Sequence, residues 1–359
     1  MIVFVNGVNR VTPEMQRTGF SSPLASMRLR CLIPATALAA IGHQSALLTL
    51  PELDQDQIVD RLADPAIRIV LGKLSRPTLE RHADLCRRAL AALDRLADRR
   101  PVHADLCDPL VETSEGAAGA YARLLLERCH LIVPNEAMAA YVRTRSPHPA
   151  VIVEDPTEAP RPKPPRFAPG DGLTLAWYGT WSASSAALLS LLLADIADLA
   201  RPVTLLVVAQ ADAAGQMGDL ETVATVGAAG PRRIEHRTWS VETMAAALAE
   251  ADIAVVPQET RAAWGLMKSH NRLVEAIQNG RLAVASPIPA YQELAAGAWV
   301  GETLADGIRW ALANPAAALE RIVAGQAEVE RRFSQPVIAR KWAAAVGDVA
   351  PASAPAPAG

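Results

Sequence analysis

DIAVVPQETRAAWGLMKSHNRLVEAIQNGRLAVASPIPAYQEL, residues 252–294, carries the strongest structural signal in the chain. Ile253–Pro257 is a short apolar run, and a polar connection follows it. From about Ser269 to Asn279 the spacing is helical. Gly280 is the residue type that ends such a helix, Leu282–Ala285 is a second apolar run, and Pro287 and Pro289 close the unit. This reads as strand, loop, helix, strand. Polar residues gather where the loop becomes helix: Lys268, Ser269, His270, Asn271 and Arg272. A helix start offers free backbone N–H groups and the positive end of the macrodipole. Cations added there suit a polyanion, and a diphosphate is the obvious candidate. Residues 268, 272 and 275 are helical neighbours on one face. Arg272 and Glu275 could simply pair with each other. Alternatively the cations hold a diphosphate while Glu275 accepts hydrogen bonds from a ribose diol, a task suited to a two-oxygen acceptor.

The same alternation extends outward. Toward the N-terminus the expected strands are Leu173–Tyr178, Val203–Ala209 and Arg233–Arg237, with Ala298–Val300 on the other side. Helices are expected at about Ser184–Leu199, Val241–Ala249, Thr303–Ala313, Ala316–Phe333 and Pro336–Val346. An independent set occupies the first half: strands Ile2–Val8, Ser45–Leu50, Ile67–Gly72, Val102–Leu106, Leu131–Pro134 and Ala150–Glu154, with helices at about Ala25–Ile41, Thr78–Asp98, Ser114–Cys129 and Ala137–Thr144. Short apolar strands separated by helices predict parallel sheets covered on both faces. Between the halves lies EAPRPKPPRFAPGDG, Glu158–Gly172, whose prolines exclude helix and central strand and which reads as an interdomain linker. The tail from residue 347 is Pro/Ala-rich and is expected to be disordered.

Composition narrows the function classes. The 359 residues carry a net charge of −3, without the basic excess of a nucleic-acid-binding protein. The four cysteines, Cys31, Cys86, Cys107 and Cys129, form no CxxC and read as free thiols in a reducing compartment. MIVFVNGV reads as a first strand and not as a signal peptide, and no apolar run is long enough to span a bilayer. A cytoplasmic protein is expected, with a peripheral membrane contact left open. Scattered histidines without HxH, HExxH or DxD give no metal site.

Candidate site residues fall at strand ends. Gly179, Thr180 and Ser182 follow Leu173–Tyr178; Gly allows close backbone approach, while Ser182 could equally be a helix N-cap. No GxGxxG or GxxxxGK[ST] is present. In the first half Lys73, Asp105, Asp108, Asn135 and Glu136 lie at the carboxyl ends of strands, where ligands of open α/β sheets bind. Asp105 could act as a general base or pair with Lys73. His103 reads as a core or edge histidine and His43 as a helix C-cap. Arg28 and Arg30 at a helix start oppose the macrodipole, which suggests a nearby anion or acidic loop.

These residues resemble bacterial glycosyltransferases of the GT-B fold, in the broad family 1/family 4 group that uses sugar nucleotides. The resemblance rests on RLRCLIPATALAAIGHQ (28–44), VLGK (70–73), HADLCDP (103–109) and VPNEAMAAYV (133–142). In the second half it rests on LAWYGTW (175–181), TWSVETMAAALAEADIAVVPQ (238–258) and, most specifically, KSHNRLVEAIQNGRLAVASPIPAYQEL (268–294). It implies an α/β architecture of two Rossmann-like doubly wound domains facing a cleft, over residues 1–160 and 161–334, with a C-terminal helix at 335–346. It implies a metal-independent hexosyltransferase without cofactor, moving a sugar from a nucleoside-diphosphate sugar to a hydroxyl of a glycan, lipid or protein. Lys268 and Arg272 would contact the diphosphate, Gly179, Thr180 and Ser182 would form the loop facing the phosphates, and Glu275 would hold the ribose. Gln258, Ser269 and Asn271 join them on the donor side, and Asp105 and Lys73 would face the acceptor or reacting sugar. Many relatives carry E-x7-E, but here the first position is Met267. That departure bears on the sugar and on a retaining outcome, and it motivates a second reading, a non-catalytic nucleotide- or sugar-binding protein. A nucleotide-sugar epimerase is the third reading.

Overall fold

A computed structural model describes residues 1–6, 24–49, 60, 62–74, 76–109 and 116–347. Gly7, Val8, Leu50, Ser114 and Glu115, all within expected elements, lie outside the described residues, as does the tail beyond Gly347. By contacts the chain divides into Met1–Pro156 with Gln335–Gly359, and Thr157–Ser334.

The first unit holds six parallel strands: β1 (Ile2–Asn6), β2 (Ser45–Thr49), β3 (Arg68–Leu71), β4 (His103–Asp105), β5 (His130–Val133) and β6 (Ala150–Ile152). Their spatial order is β2-β1-β3-β4-β5-β6. The main helices are α1 (Ile33–Ala40), α2 (Ala83–Ala97), α3 (Gly116–Arg128) and α4 (Glu136–Arg143). The expected helix at 25–41 is interrupted by a π-helical stretch, Arg28–Leu32, that buries both Arg28 and Arg30. Asn135 is the N-cap of α4, its side chain accepting from the Met138 amide at 2.9 Å.

The last helix belongs to this unit. Ile338, Ala339 and Trp342 pack into one core with Ile2, Phe4 and Leu38. Phe4 and Trp342 meet edge to face, with ring centroids 5.4 Å apart.

The second unit holds β7 (Leu173–Tyr178), β8 (Val203–Ala209), β9 (Arg232–Thr238), β10 (Ile253–Val256), β11 (Leu282–Ala285) and β12 (Trp299–Val300). They run parallel in the order β12-β11-β10-β7-β8-β9. Leu175 and Trp177 of β7 enter one core, and Ala176 and Tyr178 enter the other. Both faces are covered, which is why these strands read as continuous apolar runs and not as alternations. The covering helices are α5 (Ala183–Asp195), α6 (Val241–Glu250), α7 (Asn271–Gln278), α8 (Leu304–Ala313) and α9 (Pro315–Phe333); the C-terminal helix of the first unit, Gln335–Gly347, is α10. A short helix at Gly218–Thr225 was not expected.

The proline run is not a free linker. Lys163 N–H donates to Gln278 O at 2.8 Å, and Arg166 N–H to Gly280 O at 3.0 Å. Gln326 Nε2 donates to Lys163 O at 2.7 Å, and Phe167 enters the core. Proline removes donors and stiffens the backbone, so the segment lies as a strap along α7 with its remaining N–H groups satisfied there. The unit boundary therefore falls at Pro156–Thr157, ahead of the run.

Candidate functional site

In the second unit the sheet order reverses between β7 and β10, since the chain leaves β7 for β8 on one side and returns to β10 on the other. Such switch points open a crevice at the carboxyl ends of the strands. Gly179, the residue after β7, has φ 155°, a backbone few side-chain-bearing residues adopt. A Cβ built there would lie 3.5 Å from Nη1 of Arg272. Gln258, just past β10, accepts from Arg272 Nη2, and its amide is fixed on Ser286 Oγ at 2.9 Å. The Arg272 carbonyl receives the hydroxyl of Tyr178. The guanidinium thus stands at the switch point, bonded to Gln258 past β10, while the Arg272 main chain is tied to Tyr178 of β7.

Helix α7 begins at Asn271, so Lys268 precedes it and does not share its face, contrary to the expected spacing. Lys268 Nζ lies 5.3 Å from the Trp264 ring centre, within cation–π range. Ser269, Asn271 and Arg272 are each partly exposed at this helix start. No acidic residue occupies the first turn, which leaves the positive end of the dipole uncompensated from within the helix.

Arg272 and Glu275 do not form the simple pair. Glu275 is buried, and its Oε1 accepts the Glu158 amide at 2.7 Å. Ser182 is the N-cap of α5, in a capping box with Ser185. Its hydroxyl is used locally, so the N-cap reading describes it; Thr180 beside it is exposed. Gln210 closes the same turn, accepting from the Trp181 amide at 2.8 Å and donating to its carbonyl at 3.0 Å.

One brace carried no sequence signal. His270, buried immediately before α7, lies 3.0 Å from Glu293 Oε2 through Nε2, and Arg332 reaches the same oxygen at 2.6 Å. Burial would raise the Glu293 carboxyl, but His270 and Arg332 outweigh it and hold it at about 2. His270, Glu293 and Arg332 sit on three separate elements, and no spacing rule links them.

In the first unit Asp105 does not pair with Lys73. Arg30 donates to Asp105 Oδ1 through Nε at 2.9 Å and Nη2 at 2.6 Å, and through Nη1 to Val153 O at 2.6 Å, with Asp155 at 3.2 Å. Arg30 and Asp105 are each 1% exposed. Burial disfavours the guanidinium charge, but Asp105 and Asp155 outweigh it and keep Arg30 protonated. This is the acidic neighbourhood that the arginines at a helix start suggested. Lys73 pairs instead with Asp108, and both remain partly exposed. His103 lies buried in the central strand β4; desolvation and the neighbouring His130 depress it to about 4.

Among the described residues no three His, Cys, Asp or Glu side chains cluster to hold a metal. No helix there is long and apolar enough to cross a membrane.

No family model and no curated protein matches the chain. Solved structures do share its fold. HepE from Anabaena, in complex with UDP, aligns with a TM-score of 0.62 at 13% identity, over 95% of this chain and 98% of that one. An E. coli trehalose-6-phosphate protein bound with UDP-2-fluoro glucose gives 0.61 at 11%, over 97% and 99%. A glycosyltransferase from Rickettsia africae gives 0.55 at 11%, over 97% and 98%. At these identities the likeness is one of fold, and the fold is GT-B.

Proposed function

We propose that the protein is a glycosyltransferase that moves a hexose-type sugar from a nucleoside-diphosphate donor to an acceptor hydroxyl on a glycan, lipid or protein. The observation that carries this reading is Arg272, held at the β7–β10 switch point by Gln258 and beside Gly179. Support also comes from the fold likeness to HepE, solved with UDP and with UDP plus glucose.

In this reading Lys268, Arg272 and the free amides starting α7 stabilise the charge that develops on the departing diphosphate. Gly179 lets the phosphates approach the backbone, with Thr180, Ser269 and Asn271 as polar contacts. Glu275 holds the ribose. The leaving charge is met by cations and amides, without a metal ion. Lys73, with Asp108, is the acceptor-side candidate. Asp105 is read as structural, because it is buried and its Oδ1 takes two hydrogen bonds from Arg30. A cytoplasmic setting suits four cysteines that form no disulfide.

The test is release of nucleoside diphosphate from a panel of sugar nucleotides, with and without acceptor sugars and with EDTA. Turnover that survives EDTA and falls on Lys268→Ala supports the reading; no release with any donor argues against it. A buried Met267, where many such enzymes place a glutamate, favours a second reading: a nucleotide binder without turnover. Binding without release would select it.

A further inference from the structure

The first residues of the second unit are tied to the carboxylate on α7. Thr157 N–H donates to Phe333 O at 3.0 Å, and the next amide, that of Glu158, donates to Glu275 Oε1 at 2.7 Å. Gln278 Nε2 reaches Ala159 O at 3.4 Å, and the Lys163 and Arg166 amides take the Gln278 and Gly280 carbonyls. The strap therefore follows α7 from Glu275 to its end. Glu275 is 1% exposed on a helix whose neighbours Leu273, Val274, Ala276 and Ile277 are all buried apolar residues. A carboxylate in such surroundings takes the orientation its strongest donor gives it, and an amide held by a strap is a fixed donor.

We propose that the Glu158 backbone amide is a positioning group: it sets the rotamer of Glu275 and thereby the preference of the site for a ribose over a 2′-deoxyribose. The proposal rests on the nucleotide reading above, and it adds a residue that acts through its main chain, so its side chain is dispensable. A buried hydroxyl-to-carboxylate hydrogen bond supports about tenfold discrimination or more against a ligand lacking the hydroxyl. Loss of the amide releases Glu275 and erodes that preference without removing the diphosphate contacts.

Two variants at one position separate the effects. Glu158→Ala keeps the N–H, and Glu158→Pro deletes it. The probes are UDP, GDP, ADP and TDP, with the 2′-deoxy or ribo partner of each, titrated calorimetrically against the full chain. Wild type and Glu158→Ala are expected to favour the ribo form of the preferred base about tenfold, and Glu158→Pro to bring the ratio close to one. An ester replacing the 157–158 peptide removes the N–H without the proline ring, and the same loss is expected there should Glu158→Pro not fold. An unchanged ratio in the proline or ester variant overturns the proposal. Equal ribo and deoxy affinity in wild type overturns it too, while leaving diphosphate binding standing. No binding by any probe overturns the nucleotide reading itself.

Discussion

Arg272 donates to the side-chain oxygen of Gln258, and this contact joins the first turn of α7 to the carboxyl end of β10. The consequence is a guanidinium whose position is fixed before any ligand arrives. Gln258→Ala is expected to free Arg272 and weaken nucleoside-diphosphate binding by up to about tenfold, the scale of one hydrogen bond to a charged group. Gln258→Glu would hold Arg272 in place but neutralise it, and should weaken binding more than the alanine variant. Calorimetric titration orders the two; equal affinity in all three proteins would mean that Gln258 and Arg272 stand away from the ligand.

Removing Asp105 leaves Arg30 buried with Val153 O and a longer contact to Asp155. Breaking a buried ion pair from one side costs about 3–5 kcal/mol. Asp105→Ala should therefore lower the denaturation midpoint sharply, and Asp105→Asn less so, since the amide oxygen still accepts. A variant of unchanged stability but lost turnover would instead mark Asp105 as a general base.

His103 makes the first unit acid-sensitive. Its pKa falls from the ordinary 6.5 to about 4 in the fold. The unfolded chain thus binds a proton that the folded chain refuses. The neutral ring's contribution is fully present above pH 6.5 and is lost as pH falls from there toward 4. The loss amounts to about 3 kcal/mol. Glu293 contributes to the loss only below about pH 4.5, because its stabilisation is fully present above that value and is lost as pH falls from there toward 2. His103→Leu should flatten stability between pH 6.5 and 4 in urea titrations; an unchanged slope would contradict this.

Gly280 has φ +70°, and a Cβ there would sit 2.2 Å from Pro164 O. Gly280→Ala must strain the backbone and push the strap off the end of α7. A destabilisation of about 2 kcal/mol or more is expected from strain and clash together. Thermal unfolding checks it, and a neutral substitution would show the strap to be loosely held.

Residue pattern disclosed the two sheets well, for a physical reason. Strands such as Val203–Ala209 and Ile253–Val256 are buried on both faces, so local composition already states their environment. Gly280 likewise announced the end of α7 through its own backbone preference. Of the candidate site residues, Gly179 and Arg272 are among those that the fold brings together as neighbours of one switch point. The pairing of Asp105 with Lys73 was misread because the partner of Asp105, Arg30, is distant in sequence and brought close only by the fold. The proline run revealed what it could not be, helix or strand, but prolines say nothing about which carbonyls their neighbours reach. Ser182 illustrates a different limit: N-cap and ligand contact ask for the same residue type, and only the capping box decides between them.

The central claim is a diphosphate site built from Lys268 and Arg272. Titration of UDP, GDP, ADP and TDP into wild type and into Lys268→Ala/Arg272→Ala tests it most directly. Two lost charge contacts predict a drop of about 100-fold or more for the preferred nucleotide, with cooperative unfolding retained in the absence of ligand. Equal binding by the double variant, or no binding by wild type, would contradict the account.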